Sequence, residues 1–511
     1  SSGLVDPADV VHHCTGLGRL EGCPYQASFD LETFRLVRES GGASIPDLEE
    51  SLRSKGMCPA KVALDIASEA PVLISEHSFL FSEGYDRVLD QLGRKREDMV
   101  LVICDPLSLI DHVRDRFIYS FSREQLQAQA WDGSLLPPDD AVNLKTALGC
   151  LSDLIDRTGH DVQMDRKELM ELYSARTGQR GLGMVIGALK TALDQDLFVS
   201  MDQRRSFKDL YMLLKLWTQH YTAVSRSVEE RDGDKKLVLS LADISVVSQP
   251  LLSQFPTTVL FGDTFYPHEL YANILGARFD RAIARTYGDA GQMKRVSVVS
   301  LGNVDTSFKN RDREHFSMIA RNLERVLSTT PGTSLVLFPS YLLLEEVCSL
   351  TSLEGEGRKV LRETKGMGRE ERELLREEAL STPGATLLSV QGGTLMRAME
   401  DGALVPGSVV MVGLHIPPPS VASNQQRLHM QTKLGHDPGH KASVIMPAIT
   451  KVMKVVNGMA YGANGRGGLV VLMDKRYQDR RVLECFPRSY GIKLLGSELE
   501  FSGERFLRGD G

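Results

Sequence analysis

Cysteine is the first residue type here able to do chemistry, and its seven copies fall into two groups. Cys14, Cys23 and Cys58 crowd the amino-terminal stretch, and Cys23 and Cys58 are each followed by proline in turn-like surroundings. Thiolates held on loops converge on a metal or an iron–sulfur cluster, which normally takes four ligands. Only three are visible, so a cluster and three unrelated thiols both stay open. Cys104, Cys150, Cys348 and Cys485 sit in or beside apolar runs and read as small core residues. A nucleotide site would need a Gly-rich loop ending in Gly-Lys-Ser/Thr, which cradles phosphates through backbone amides and a lysine. The dipeptide Gly-Lys never occurs. GANGRGG at 462–468 precedes a strand pattern, whereas a phosphate loop follows a strand and opens a helix, so it reads as a turn. There is no HExxH, GxSxG or paired CxxC, and the histidines show no metal spacing.

The elements that must position any such site are short β-branched runs: PVLISEH near 71, MVLVICD near 99, TTVLFGD near 257, RVSVVSL near 295, TSLVLFP near 333, ATLLSV near 385, SVVMVGLHIP near 408 and GLVVLMDKR near 468. They predict buried strands of parallel sheets flanked on both faces by helices, an α/β fold with more than one sheet. Amphipathic stretches at 268–276 and 314–330 supply crossover helices. Residues 114–236 carry long helical patterns and few strand signals, so a mostly helical insertion is expected there. The charge-laced run 354–380 predicts a solvated helix after a loose loop, and 413–443 an irregular, Pro-interrupted segment suited to a partner or simply mobile.

With 511 residues, 42% hydrophobic and 25% charged, the chain is long enough for about three or four domains. Disorder, collagen and a small disulfide scaffold are excluded. No run of about 18 uncharged apolar residues occurs, and SSGLVDPADVVHH lacks the basic and apolar regions of a secretory signal. An intracellular protein, cytoplasmic or nuclear, with reduced cysteines and no membrane partner is expected. The net charge of −7 argues against a generic nucleic-acid coat, while local basic stretches keep the capacity to bind phosphate.

Taken in order, these blocks resemble the XPD/DinG family of iron–sulfur superfamily 2 DNA helicases over nearly the whole length. SKGMCPAKVALDIASEAPVLISEHSFLF (54–81) is similar to the family's last cluster cysteine, the helix after it and the strand into the first motor domain. MVLVICDPLSLIDHV (99–113) resembles the strand and turn that carry the Asp-Glu-Ala-His box, with Asp105 first. LADISVVSQPLLSQFPTTVLFGDTFYPHELYANILG (241–276) resembles the return strand ending in Ser-Gly-Thr-Leu-Ser-Pro, and TSLVLFPSYLLLEEV (333–347) the opening of the second motor domain. ATLLSVQGGTLMRAMED and MKVVNGMAYGANGRGGLVVLMDKRY resemble motifs V and VI.

The resemblance implies two RecA-like motor domains with parallel sheets, a cysteine domain of iron–sulfur type and a helical Arch-like insertion. Its boundaries would be 1–65 for the cysteine domain, 66–113 and 237–276 for the first motor, 114–236 for the insertion and 277–511 for the second motor. It makes Cys14, Cys23 and Cys58 three of four ligands to a 4Fe-4S cluster, with His12 or His13 a conceivable substitute for the fourth. It also removes the catalytic groups. Phosphoryl transfer in such motors needs a phosphate loop, an acidic residue on Mg2+, a carboxylate to position water and arginines to stabilise charge. Asp105 can still touch Mg2+, but the catalytic glutamate falls on Pro106 and the histidine on Ser108. The Ser-Gly before Thr264 becomes Gly262 and Asp263. Motif V's Glu-Gly-x-Asp becomes Arg397, Ala398, Met399 and Glu400, and motif VI's Gln-x-x-Gly-Arg-x-x-Arg becomes Val455, Gly458, Met459 and Gly462. Turnover of ATP with Mg2+ is therefore not expected.

What would remain is a groove for single-stranded nucleic acid. Tyr25, Ser340 and Tyr341, with Lys309, Arg311, Arg313, Lys475, Arg476, Arg480 and Arg481, are the candidate contacts; the ordinary readings are tyrosines packed against loops and solvated basic runs, with DKRY equally the end of a core strand. Three functions stay in play. The first is a non-catalytic single-stranded-DNA-binding or scaffolding subunit, with protein partners in a DNA-processing complex. The second is an active 5′–3′ DNA helicase completed by an upstream segment or a partner. The third is an iron–sulfur redox or structural module that needs no nucleic acid.

Overall fold

The computed structural model describes residues 50–508 apart from 51, 55, 129–134, 180, 196, 199, 220–221, 232, 278–280, 288–292, 294, 311, 352, 354–356 and 462–467. Contacts divide the chain into two compact units, 1–261 and 262–511.

In the first unit, α1 (Pro59–Glu69), α2 (His77–Leu80) and α3 (Glu83–Gln91) precede strand β1 (Val100–Cys104) and helix α4 (Pro106–Arg116). Strand β2 (Tyr119–Ser122) leads into five helices: α5 (Arg123–Gln127), α6 (Pro138–Arg157), α7 (Arg166–Thr177), α8 (Gly183–Gln195) and α9 (Met201–Gln219). Strands β3 (Val224–Arg231) and β4 (Asp234–Leu241), helix α10 (Ser245–Leu252) and strand β5 (Thr257–Phe261) complete it. β1 pairs in parallel with β5, in register from Val100 with Thr257 to Cys104 with Phe261.

The mostly helical character expected for 114–236 holds, but β2 and β3 also fall inside it and pair antiparallel with β4 in the order β2-β4-β3. β3 escaped the apolar pattern because Ser225, Arg226 and Ser227 are buried polar residues. Arg226 lies over the Trp217 ring and donates to the carbonyls of Trp217 and Val224. Gln163 Oε1 accepts from Ser225 Oγ and from Arg226 N.

Two sequence expectations fail in this unit. PVLISEH forms no strand, its His77 opens α2, and Ile74 is 95% exposed; among the described residues no strand pairs with it. The β1–β5 sheet is also not covered on both faces. Val100, Val102, Cys104, Val259 and Phe261 alternate onto one face and are all exposed, so Cys104 is not a core thiol.

The second unit opens with α11 (His268–Leu275), then β6 (Val296–Leu301), α12 (Arg313–Ser328), β7 (Ser334–Phe338), α13 (Tyr341–Cys348), β8 (Val360–Arg362), α14 (Arg369–Ser381), β9 (Thr386–Val390), α15 (Thr394–Glu400) and β10 (Ser408–Val412). Next come α16 (Val421–Leu434), α17 (His436–His440), a π-turn at Lys441–Ile445 and α18 (Met446–Tyr461). β11 (Gly468–Met473), α19 (Arg480–Leu483), β12 (Lys493–Leu495) and α20 (Gly503–Arg508) finish the unit. Seven parallel strands run in the order β12-β6-β11-β10-β7-β9-β8. β7 and β10 are buried along their whole length, as a parallel sheet covered by helices requires. One face packs on α12 and α13 through Phe316, Ile319, Leu323, Leu343 and Val347.

The segment 413–443 is largely helical rather than irregular, because Ser420 caps α16 by accepting from Ser423 N. The run 354–380 contains β8 as well as the expected helix, here α14.

Candidate nucleic-acid interface

Parallel strands end on a common edge, so the loops after β6, β7, β8, β9, β10 and β11 share the carboxyl edge of the large sheet. That edge of an open α/β sheet is where ligands bind. Ser340 caps α13, its Oγ accepting from Leu343 N at 3.3 Å. Tyr341 follows, and its hydroxyl donates to Glu363 Oε1 at 2.9 Å. Glu363, at the end of β8, is 1% exposed. It also accepts from Ser389 Oγ, Thr394 Oγ1 and the Thr394 backbone N–H. Gly393 is required by this approach, because a Cβ there would sit 2.5 Å from both Glu363 Oε2 and Ser389 Oγ. Burial first, then the Glu363 carboxylate, pushes the Tyr341 phenol up. Glu363 was missed in the sequence because it lies in a charge-rich run that reads as solvated.

Beyond β11, Asp474 is fully buried and holds Arg476 with both oxygens, Nε on Oδ1 at 2.9 Å and Nη2 on Oδ2 at 2.7 Å. Oδ2 also accepts from Thr306 Oγ1 at 2.6 Å. Lys475 Nζ pairs with Asp305 Oδ2 at 2.7 Å. Asp305 additionally accepts from Ser307 N and Asn310 Nδ2. Burial pushes the Asp305 carboxyl up, but the hydrogen bonds from Lys475, Ser307 and Asn310 outweigh it and hold the group well below the usual range. Arg480 Nε pairs with Glu484 and Arg481 Nε with Asp437. Lys309 is exposed, and Arg313 opens α12. Arg311, Tyr25, Cys14, Cys23, His12, His13 and Gly462 lie outside the described residues.

The positions where the family carries its catalytic groups are placed as follows. Asp105 sits at the end of β1 in the left-handed region, φ 50°, and its Oδ1 accepts from Ser108 N at 3.3 Å to cap α4. Pro106 occupies the first helical position, where proline is well tolerated because its missing N–H has no helical partner anyway. On α18, Val455 is fully buried and Met459 5% exposed. A Cβ on Gly468 would collide with Met459 Cε, so this side chain packs against the start of β11. Arg397 is exposed on α15, with Nε near the Gly393 carbonyl, and Glu400 ends that helix. Sequence reading also missed Asn457, which is 5% exposed, donates to the Asp263 carbonyl and accepts from Tyr490 Oη at 2.8 Å.

Cys58 is half-buried in the turn that opens α1. Among the described residues no three His, Cys, Asp or Glu side chains group as a metal site. Burial pushes the Cys485 thiol up to about 11, and it raises Cys150 and Cys348, as expected of packed thiols. Among the described residues no helix is long and apolar enough to cross a membrane.

Residues 323–491 match the Helicase C-terminal domain family. An XPD helicase structure superposes with a TM-score of 0.53 at 16% identity, covering 88% of this chain and 77% of that one. The chain has an XPD-like helicase fold. An XPD structure in the apo form gives 0.47 at 18% identity, covering 82% of this chain and 81% of that one. The structure of S. tokodaii Xpd4 gives 0.47 at 18%, covering 78% and 76%. Strands β7 to β11 and the loops after them lie within the matched residues, whereas β6 and the loop that carries Asp305 and Thr306 precede them.

Proposed function

We propose that this protein is a helicase relative without ATPase activity, which binds single-stranded nucleic acid or scaffolds a DNA-processing complex. The reading is carried by the fate of the positions that resemble the catalytic ones: Pro106 starts a helix, while Val455 and Met459 are spent on the core of the second unit. A proline cannot orient a water, and two buried apolar side chains cannot stabilise charge on a phosphoryl group. Loss of one such arginine lowers the rate on the order of 1,000-fold, and several losses compound. The candidate nucleic-acid contacts at the carboxyl edge are Ser340, Tyr341, Lys475 and Arg476, held in place by Glu363, Asp305 and Asp474. A structured edge of this kind fixes cations for phosphate contacts, although each counter-carboxylate reduces the net field.

The test is ATP hydrolysis by the anaerobically purified chain with and without single-stranded DNA, alongside salt-dependent DNA binding. The expected outcome is binding that weakens as salt rises, with no turnover. DNA-stimulated turnover that co-purifies with the chain overturns the reading.

We further propose Cys58 as a ligand to a 4Fe-4S cluster together with Cys14 and Cys23. Its place in a turn at the mouth of a helix, half-buried and without a disulfide, suits a cluster thiolate. Iron and sulfide content should fall in Cys58→Ser and remain unchanged in Cys348→Ser; equal content in both variants rules the assignment out.

A further inference from the structure

Four aromatic side chains meet at the start of the second unit. Tyr271 on α11 is 3% exposed, and its hydroxyl meets Thr450 Oγ1 of α18 at 2.8 Å. The Phe265 ring stacks on it, with centroids 5.2 Å apart and planes at 24°. His268 stands edge-on to Phe265 at 6.1 Å and to Tyr266 at 5.9 Å. The loop that carries them is held from beneath: Tyr266 N donates to the Thr264 carbonyl at 2.9 Å, and Asn457 of α18 fixes the Asp263 carbonyl.

Phe265, Tyr266 and His268 are only half-buried. Aromatic side chains that serve the core of this unit are covered more fully, from Phe338, Tyr477 and Phe501 at 0–1% exposure to Phe316 at 9%. The three rings therefore keep surface that packing does not use, on a rigid base. A lysine comes from a helix packed nearby: Lys433 Nζ of α16 reaches the Asn273 carbonyl near the end of α11.

From this juxtaposition we propose that Phe265, Tyr266 and His268 form a base-stacking platform for single-stranded nucleic acid. Stacking accepts any base because every base has a π-face, and pre-fixed rings lose little entropy on binding. Lys433 supplies charge for a flanking phosphate. The proposal rests on the nucleic-acid reading above and specifies the part of it that does not depend on salt.

The test measures binding of the full chain to a labelled oligothymidylate and to an abasic oligomer with the same number of phosphates. The wild-type chain should prefer the thymidylate by about 5- to 150-fold, the range expected for stacking of a single base. Phe265→Ala with Tyr266→Ala should abolish that preference while leaving abasic binding and the salt slope unchanged. Should alanine lower the thermal midpoint, Phe265→Leu with Tyr266→Leu keeps apolar volume without the rings, and the same loss is expected. Undiminished base preference in a folded double variant overturns the platform alone. Failure of the wild-type chain to bind either strand overturns the nucleic-acid reading and the platform with it.

Discussion

At the residue scale, two buried carboxylates organise the edge of the large sheet by different means. Glu363 collects donors from Tyr341, Ser389 and Thr394, so its loss strands several polar groups at once. Tyr341→Phe removes one charge-assisted hydrogen bond and should destabilise by about 1.5–3 kcal/mol. Thermal or urea unfolding, followed by a probe in the second unit, measures it. Asp305 gives a pH signature. Its folded-state pKa lies below that of the unfolded chain, so it contributes stability that is present above the ordinary carboxylate pKa. That contribution is lost as pH falls below about 4 and on through the folded value. Asp305→Asn should therefore be less stable than wild type at neutral pH, and the difference should shrink in acid. A urea-midpoint series against pH reads this directly, and a constant difference would remove Asp305 from the account.

The helices α16, α17 and α18 show what decides an element's path. Gly439 lies so close to α16 that an added Cβ would collide with the Met430 carbonyl group and Gln431 N. These are backbone atoms that cannot step aside, so Gly439→Ala forces the helices apart. A loss of about 1–3 kcal/mol is expected from such overpacking, read as a lowered thermal midpoint. Lys441 supports the same corner by pairing with Asp437 and Glu484 at 2.9 and 2.8 Å. The glycine's role was not legible in GHDPGH, where glycine and proline argue for a loop. The contact with α16 is long-range information for that short segment. By contrast, α12 was readable because its apolar residues recur on one face and Asp312 caps its start.

For the whole molecule, the two units differ in how fully their parallel sheets are covered. The central strands β7, β9, β10 and β11 of the second unit are buried almost throughout, whereas β1 and β5 leave Val100, Val102, Val259 and Phe261 exposed. Contiguous apolar surface of that kind binds hydrophobic dyes. Val102→Lys with Val259→Lys should lower dye fluorescence of the native chain; unchanged fluorescence would place the dye elsewhere. The amino-acid sequence carries the α/β class, seven of the eight proposed strands and the order of the blocks that resemble a helicase, since each rests on local apolar runs and spacing. It also determined which residue types stand at the catalytic positions. Long-range packing decided that PVLISEH finds no strand partner among the described residues, that Arg226 is buried over the Trp217 ring, and that Glu363 gathers Tyr341, Ser389 and Thr394. The physical reason is common to all three. Strand pairing and polar burial depend on partners distant in sequence, and no local pattern carries the identity of a distant partner.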